Sequence, residues 1–153
     1  MYYSAQEIAE IAIRIEENGH VFYLEAAVAI SENENVKKLF LSLAQKELSH
    51  ISAFKHLLSM VETEHLEFDV ESAGGYLQHQ ADTHIFQKVN SGKVLAASII
   101  DAEHAIKIAY QFELESVEFY TALLGRVQSN AKMMVSHIIE EERQHAKELE
   151  AFL

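Results

Sequence analysis

Two phrases each occur twice in this chain, in the same order. Glu16, five intervening residues and Phe22-Tyr23 return as Glu113, five intervening residues and Phe119-Tyr120. Glu47-x-x-His50 returns as Glu142-x-x-His145. Ordered repetition of this kind marks two copies of one structural unit, so what surrounds the first pair of phrases must be matched around the second. No proline interrupts either copy, and 49% of the 153 residues are hydrophobic. The apolar residues recur at i, i+3, i+4 and i+7, which makes the repeated unit a pair of amphipathic helices.

The element boundaries follow from caps and breaks. Ser4-Ala5-Gln6-Glu7 is a capping box, and Ile8, Ala12, Ile15, Gly19, Phe22, Ala26 and Ile30 continue at helical spacing to about residue 31. After the polar break at Ser31–Asn35, with Asn35 as the expected cap, a second helix covers about 36–63. Its inner face carries Val36, Leu39, Phe40, Leu43, Ile51, Phe54, Leu57 and Leu58. Residues 64–97 hold Gly74-Gly75 and Ser91-Gly92, and they read as a crossover containing one short helix around 76–89. A third helix covers about 98–126, and Ser129-Asn130 separates it from a fourth at about 131–152. The prediction is all-α: a single domain, 1–153, of two helical hairpins joined by one long crossover, which is a four-helix bundle.

The Glu-x-x-His spacing also occurs at Glu17/His20 and Glu62/His65, so spacing alone selects nothing. Helical phase does. At 100° per residue, Glu47 and His50 share the arc of Val36, Leu43, Phe54 and Leu58, and Glu142 and His145 share that of Met134, Ile138, Leu149 and Phe152. Glu113 lies in the stripe of Ile106, Ala109, Tyr120 and Leu124, and Glu16 flanks Ile15 and Tyr23. Glu17, Glu115 and Glu118 fall on the opposite faces and read as solvated charges. Height along the bundle selects the same set: Glu16 and Glu113 lie about 17 and about 16 residues before their loops, Glu47 and Glu142 about 14 and about 13 after them. Glu62 and His65 sit roughly 22 Å further along. Four carboxylates on inner faces, with no Lys or Arg at their level, cannot all stay ionised unaided. Two cations held by Glu16, Glu47, His50, Glu113, Glu142 and His145 resolve the conflict.

One Glu from each of two helices and Glu-x-x-His from each of the others is the arrangement known from di-iron and di-manganese carboxylate bundles. Together with Leu43-Ala44-Gln45-Lys46-Glu47-Leu48-Ser49-His50, Glu113-Leu114-Glu115-Ser116-Val117-Glu118-Phe119-Tyr120 and Ile139-Glu140-Glu141-Glu142-Arg143-Gln144-His145, it resembles the ferritin-like superfamily, and most closely its rubrerythrin-like branch. The resemblance covers the chain outside the crossover. It implies a ferritin-like bundle and a non-haem centre of two iron ions that reduces hydrogen peroxide or dioxygen, with the six residues above as ligands. Manganese, a mixed pair or zinc suits the same donors. Which carboxylates bridge is open. The branch also carries a Cys-rich rubredoxin module, but this sequence has no cysteine, so an external electron donor is implied. Where the branch has a further carboxylate one turn after the third-helix Glu, this chain has Ser116, which suggests a more symmetric six-ligand site.

Around those ligands the sequence leaves choices open. Tyr23 and Tyr120 follow Glu16 and Glu113 by two turns, and each is either a hydrogen-bond partner of a ligating carboxylate, or an electron donor, or an ordinary core tyrosine. His20 is expected at the surface, as are His65, His79 and His84. Gly19 and Ser116 either open a channel for an oxidant or permit close packing. A net charge of -12 argues against binding a nucleic-acid backbone, and no nucleic-acid partner is expected. No apolar run is long enough to span a membrane, and the N-terminus lacks the pattern of a signal peptide. A cytoplasmic protein is expected, as a homodimer or larger homo-oligomer. The competing functions are ferroxidase activity coupled to iron storage in a cage, and a metal-free helical interaction module.

Overall fold

The computed structural model describes residues 3–63 and 75–153. Six helices occur among them: α1 (Ala5–Ala29), α2 (Glu34–Thr63), α3 (Tyr76–Thr83), α4 (Ser91–Ala97), α5 (Ala102–Leu124) and α6 (Ser129–Glu150). The long ones, α1, α2, α5 and α6, are the expected pair of hairpins. Helices α1 and α2 pack along each other, as do α5 and α6, while α4 lies on α1 and α3 on α5. The all-α, ferritin-like prediction holds. None of the described helices is long and apolar enough to cross a membrane.

Local chemistry sets the ends. Ser4 Oγ accepts from the Glu7 amide while Glu7 returns to the Ser4 N–H, which completes the capping box. The second helix begins earlier than expected because Asn33, not Asn35, is its cap: Asn33 Oδ1 accepts the Val36 amide at 3.2 Å. Asp101 Oδ1 caps α5 through the His104 amide at 2.8 Å, so this helix starts at Ala102. The last helix begins at Ser129, slightly ahead of the expected position.

The crossover departs from expectation. Two short helices occupy its described part, where one was predicted, because Asn90 takes a left-handed conformation (φ 63°) and breaks the chain between them. Side chains of α1 hold this connection. Asn18, buried, donates through Nδ2 to the carbonyls of Phe86 and Lys88, each at 2.8 Å, and accepts from the Gly92 amide at 3.2 Å. Arg14 adds a bond to the Gln87 carbonyl at 3.1 Å. So tethered, the crossover drives Phe86 into the bundle, with its ring 5.4 Å from Phe22 and 4.8 Å from Phe112. Phe54 and Tyr120 also pack together, their rings 4.8 Å apart and tilted by 40°.

Two glycines are contact points. A Cβ on Gly19 would stand 2.5 Å from the Phe112 ring, so this residue serves close packing and opens no channel. A Cβ on Gly92 would stand 2.1 Å from the Asn18 backbone carbonyl, a neighbour that cannot swing aside. Gly92→Ala should therefore cost about 1–3 kcal/mol by overpacking. Gly125→Ala, where the nearest atom is at 3.7 Å, should be neutral or stabilising by up to about 1 kcal/mol. Urea denaturation of both variants checks the contrast, and equal midpoints would remove the tether from this account.

Candidate metal centre

Helical phase brings the six predicted residues to one level in the middle of the bundle. Glu16 comes from α1, Glu47 and His50 from α2, Glu113 from α5, and Glu142 and His145 from α6; all are buried, the four carboxylates completely. They form two overlapping groups, Glu16/Glu47/His50/Glu142 and Glu47/Glu113/Glu142/His145, whose candidate ligand atoms lie within 4.8 Å of one another. Glu47 and Glu142 belong to both. The two imidazoles stack with centroids 5.6 Å apart. His50 presents Nδ1 to Glu142 at 3.1 Å, Glu16 at 3.3 Å and Glu47 at 3.4 Å. His145 presents Nδ1 to Glu142 at 3.2 Å and to Glu47 and Glu113 at 3.5 Å.

These groups fit a pair of cations. Both oxygens of Glu47 and one each of Glu113 and Glu142 are buried without a hydrogen bond among the described residues, the nearby imidazole nitrogens being too long or badly angled. An orphaned buried acceptor costs about 1–3 kcal/mol, and several turned toward one point form the ligand shell of a hard or borderline cation.

Without metal the centre neutralises itself with protons. Burial, reinforced by Glu16, pushes Glu47 up to about 8, and burial together with Glu113 and Glu47 carries Glu142 well above the carboxylate range. Burial would empty the imidazoles of their second proton, but the facing carboxylates outweigh it. His145 rises to about 12, and His50 rises as well. Glu16 moves the other way, to about 2: although burial opposes its charge, the facing His50 imidazole and the hydroxyl of Tyr120 favour it.

The two tyrosines lie in a crossed pattern. Tyr23 of α1 donates to Glu113 of α5 at 2.5 Å, and Tyr120 of α5 donates to Glu16 of α1. Each therefore bonds a carboxylate of the opposite hairpin. His20 stays outside both groups, partly buried, with Nδ1 donating to the Ala44 carbonyl at 2.7 Å. Glu17, Glu118 and His79 are exposed as expected, and His65 lies outside the described residues.

Two expectations fail. His84, read as surface, is buried: its Nδ1 accepts the Phe86 amide at 3.0 Å, which leaves Nε2–H to donate to Ser116 Oγ at 2.9 Å. The crossover path, which no helical period encodes, turns it inward over the ring of Phe112. Ser116 is thereby occupied, and it opens no channel. Glu115, read as solvated, is partly buried where α5 meets the crossover at Ile85, and that burial raises its carboxyl. Glu141 carries no sequence signal of its own. Its Oε2 lies 2.7 Å from His50 Nε2, the ring nitrogen facing away from the cluster. Between Glu140 and Glu142 in a run of three acids, nothing in the sequence separates it from its neighbours.

A family model described as Rubrerythrin matches residues 7–153. Neither the curated proteins nor the solved structures compared with the chain include a match.

His84 gives the stability a pH dependence of definite sign. Burial lowers its imidazole from 6.5 to about 4. Between those values the unfolded chain binds the proton and the folded chain does not, so stability falls as pH drops through this window, by about 3 kcal/mol in all. In metal-free protein, His84→Gln should lose this component. Urea midpoints from pH 7.5 to 4 check it: a wild-type minus variant difference that stays constant with pH would contradict it.

Proposed function

The chain belongs to the rubrerythrin family, and we propose that its buried centre is a di-iron oxidoreductase site that reduces hydrogen peroxide or dioxygen. The observation that carries this reading is the pair of overlapping four-residue groups sharing Glu47 and Glu142. Glu47 and Glu142, common to both groups, would be available to both ions, with Glu16 and His50 holding one ion and Glu113 and His145 the other. Two iron ions there would supply a redox-active, Lewis-acidic pair.

The protein's own residues do the rest. Tyr23 and Tyr120 hold Glu113 and Glu16 by one oxygen each, leaving the other oxygen turned to the cluster. The imidazoles present Nδ1, the nitrogen nearer the backbone, so their rings are fixed by the short tether to α2 and α6. The complete burial of all four carboxylates keeps bulk water from competing for the ligand positions. Ser116, which replaces the family's additional carboxylate, is bonded to His84 and offers no anionic ligand. That favours a centre that keeps six ligands throughout its cycle. Reduction of hydrogen peroxide to two waters consumes two electrons and two protons. These 153 residues contain no cysteine, so in this reading the electrons enter from outside this domain.

The test is anaerobic loading with Fe(II), metal quantification, and peroxide turnover with a surrogate reductant in the same sample. Wild type should hold about two metal ions per chain and turn over peroxide. Glu47→Ala/His50→Ala, which removes a carboxylate common to both groups and an imidazole, should lose most of the metal and essentially all turnover. Equal, negligible metal in both proteins would overturn the di-metal reading. Two bound irons with no peroxide or dioxygen consumption would overturn the reaction alone.

A further inference from the structure

The repeat that pairs Glu47 with Glu142 and His50 with His145 also pairs the residue before each glutamate, Lys46 with Glu141. Those two places carry opposite charge, and only one of them serves an imidazole. Glu141, on α6, reaches across to α2 and places Oε2 2.7 Å from His50 Nε2. Its other oxygen is held by His137 Nε2 at 3.2 Å. The related contact would run from residue 46 on α2 to His145 Nε2 on α6. Lys46 stands there instead, and an ammonium can only donate. It turns to Glu148 Oε1 at 3.4 Å. Among the described residues no acceptor reaches His145 Nε2, and the polar contacts of that ring are all made through Nδ1.

This difference matters because both imidazoles direct Nδ1 to the cluster. A carboxylate accepting the N–H on the far side of a ligating imidazole fixes the ring and makes it a stronger donor, and its loss costs about 10–100-fold in metal affinity. We propose that Glu141 makes the two metal positions unequal. The position of Glu16, Glu47, His50 and Glu142 binds first and more tightly, and that of Glu47, Glu113, Glu142 and His145 binds second. The inference rests on the di-metal reading and adds an order of filling to it.

Anaerobic titration of metal-free protein with Co(II), followed by visible absorption and calorimetry, tests this without reference to turnover. Wild type should show two steps separated by about 10–100-fold in Kd. Glu141→Gln should weaken the first step about tenfold and narrow the gap. Lys46→Glu, made with Glu148→Gln to remove the like charge, should strengthen the second step and narrow the gap from the other side. Glu140→Gln, a neighbouring exposed charge paired with Arg143, should leave both steps unchanged. The Glu141 side chain is 40% exposed, and circular dichroism melts of each variant should match wild type before titration. Two equal steps in wild type, or unequal steps indifferent to Glu141→Gln, would overturn the inference and leave the di-metal centre standing. No bound Co(II) in wild type would overturn both.

Discussion

Everything in this molecule is arranged around four carboxylates removed from water with no lysine or arginine among them. Carboxylates are seldom fully buried unless paired, and here the acids meet mainly each other and two imidazoles. The metal-free protein tolerates this by holding protons: Glu47 and Glu142 shift upward, and both histidines rise despite burial. Packing alone would be better served by leucines. The polar set fits a charge balance that bound cations would complete, since metal binding can exchange protons for a larger, fixed positive charge.

The crossover is more than a tether between hairpins. Asn18 clamps three backbone groups of it to α1, Gly92 lets it approach within contact of the Asn18 backbone, and Phe86 enters the aromatic core. It also delivers His84 to Ser116, beside the level of the ligands. A segment with weak amphipathic pattern thus determines what lines one side of the centre.

What was legible in the residues, and what was not, follows from periodicity. The four long helices and all six central residues share a 3.6-residue phase, so face and height located them with no tertiary information. Asn33 and Asn35 are both good caps two residues apart, and only the backbone path decides between them. His84 has no phase to be read from, because the chain near it is not continuous helix. Glu141 has one, but it points sideways out of the inner arc, and its role depends on how close α2 passes to α6. Glu115 likewise faces outward by phase and is covered only because the crossover lies there. Contacts set by one helix were readable. Those set by the approach of a second element were not.

The crossed tyrosines carry a consequence for how the molecule is assembled and how its halves change. Tyr23 secures a glutamate of the second hairpin and Tyr120 one of the first. Neither hairpin therefore contains a finished copy of anything: each holds the clasp of the other. Docking the halves is the step that completes the centre, and a substitution in one copy of the duplicated unit is felt by a residue in its twin. Lys46 and Glu141 differ at a place outside that clasp, where the two copies are free to drift apart.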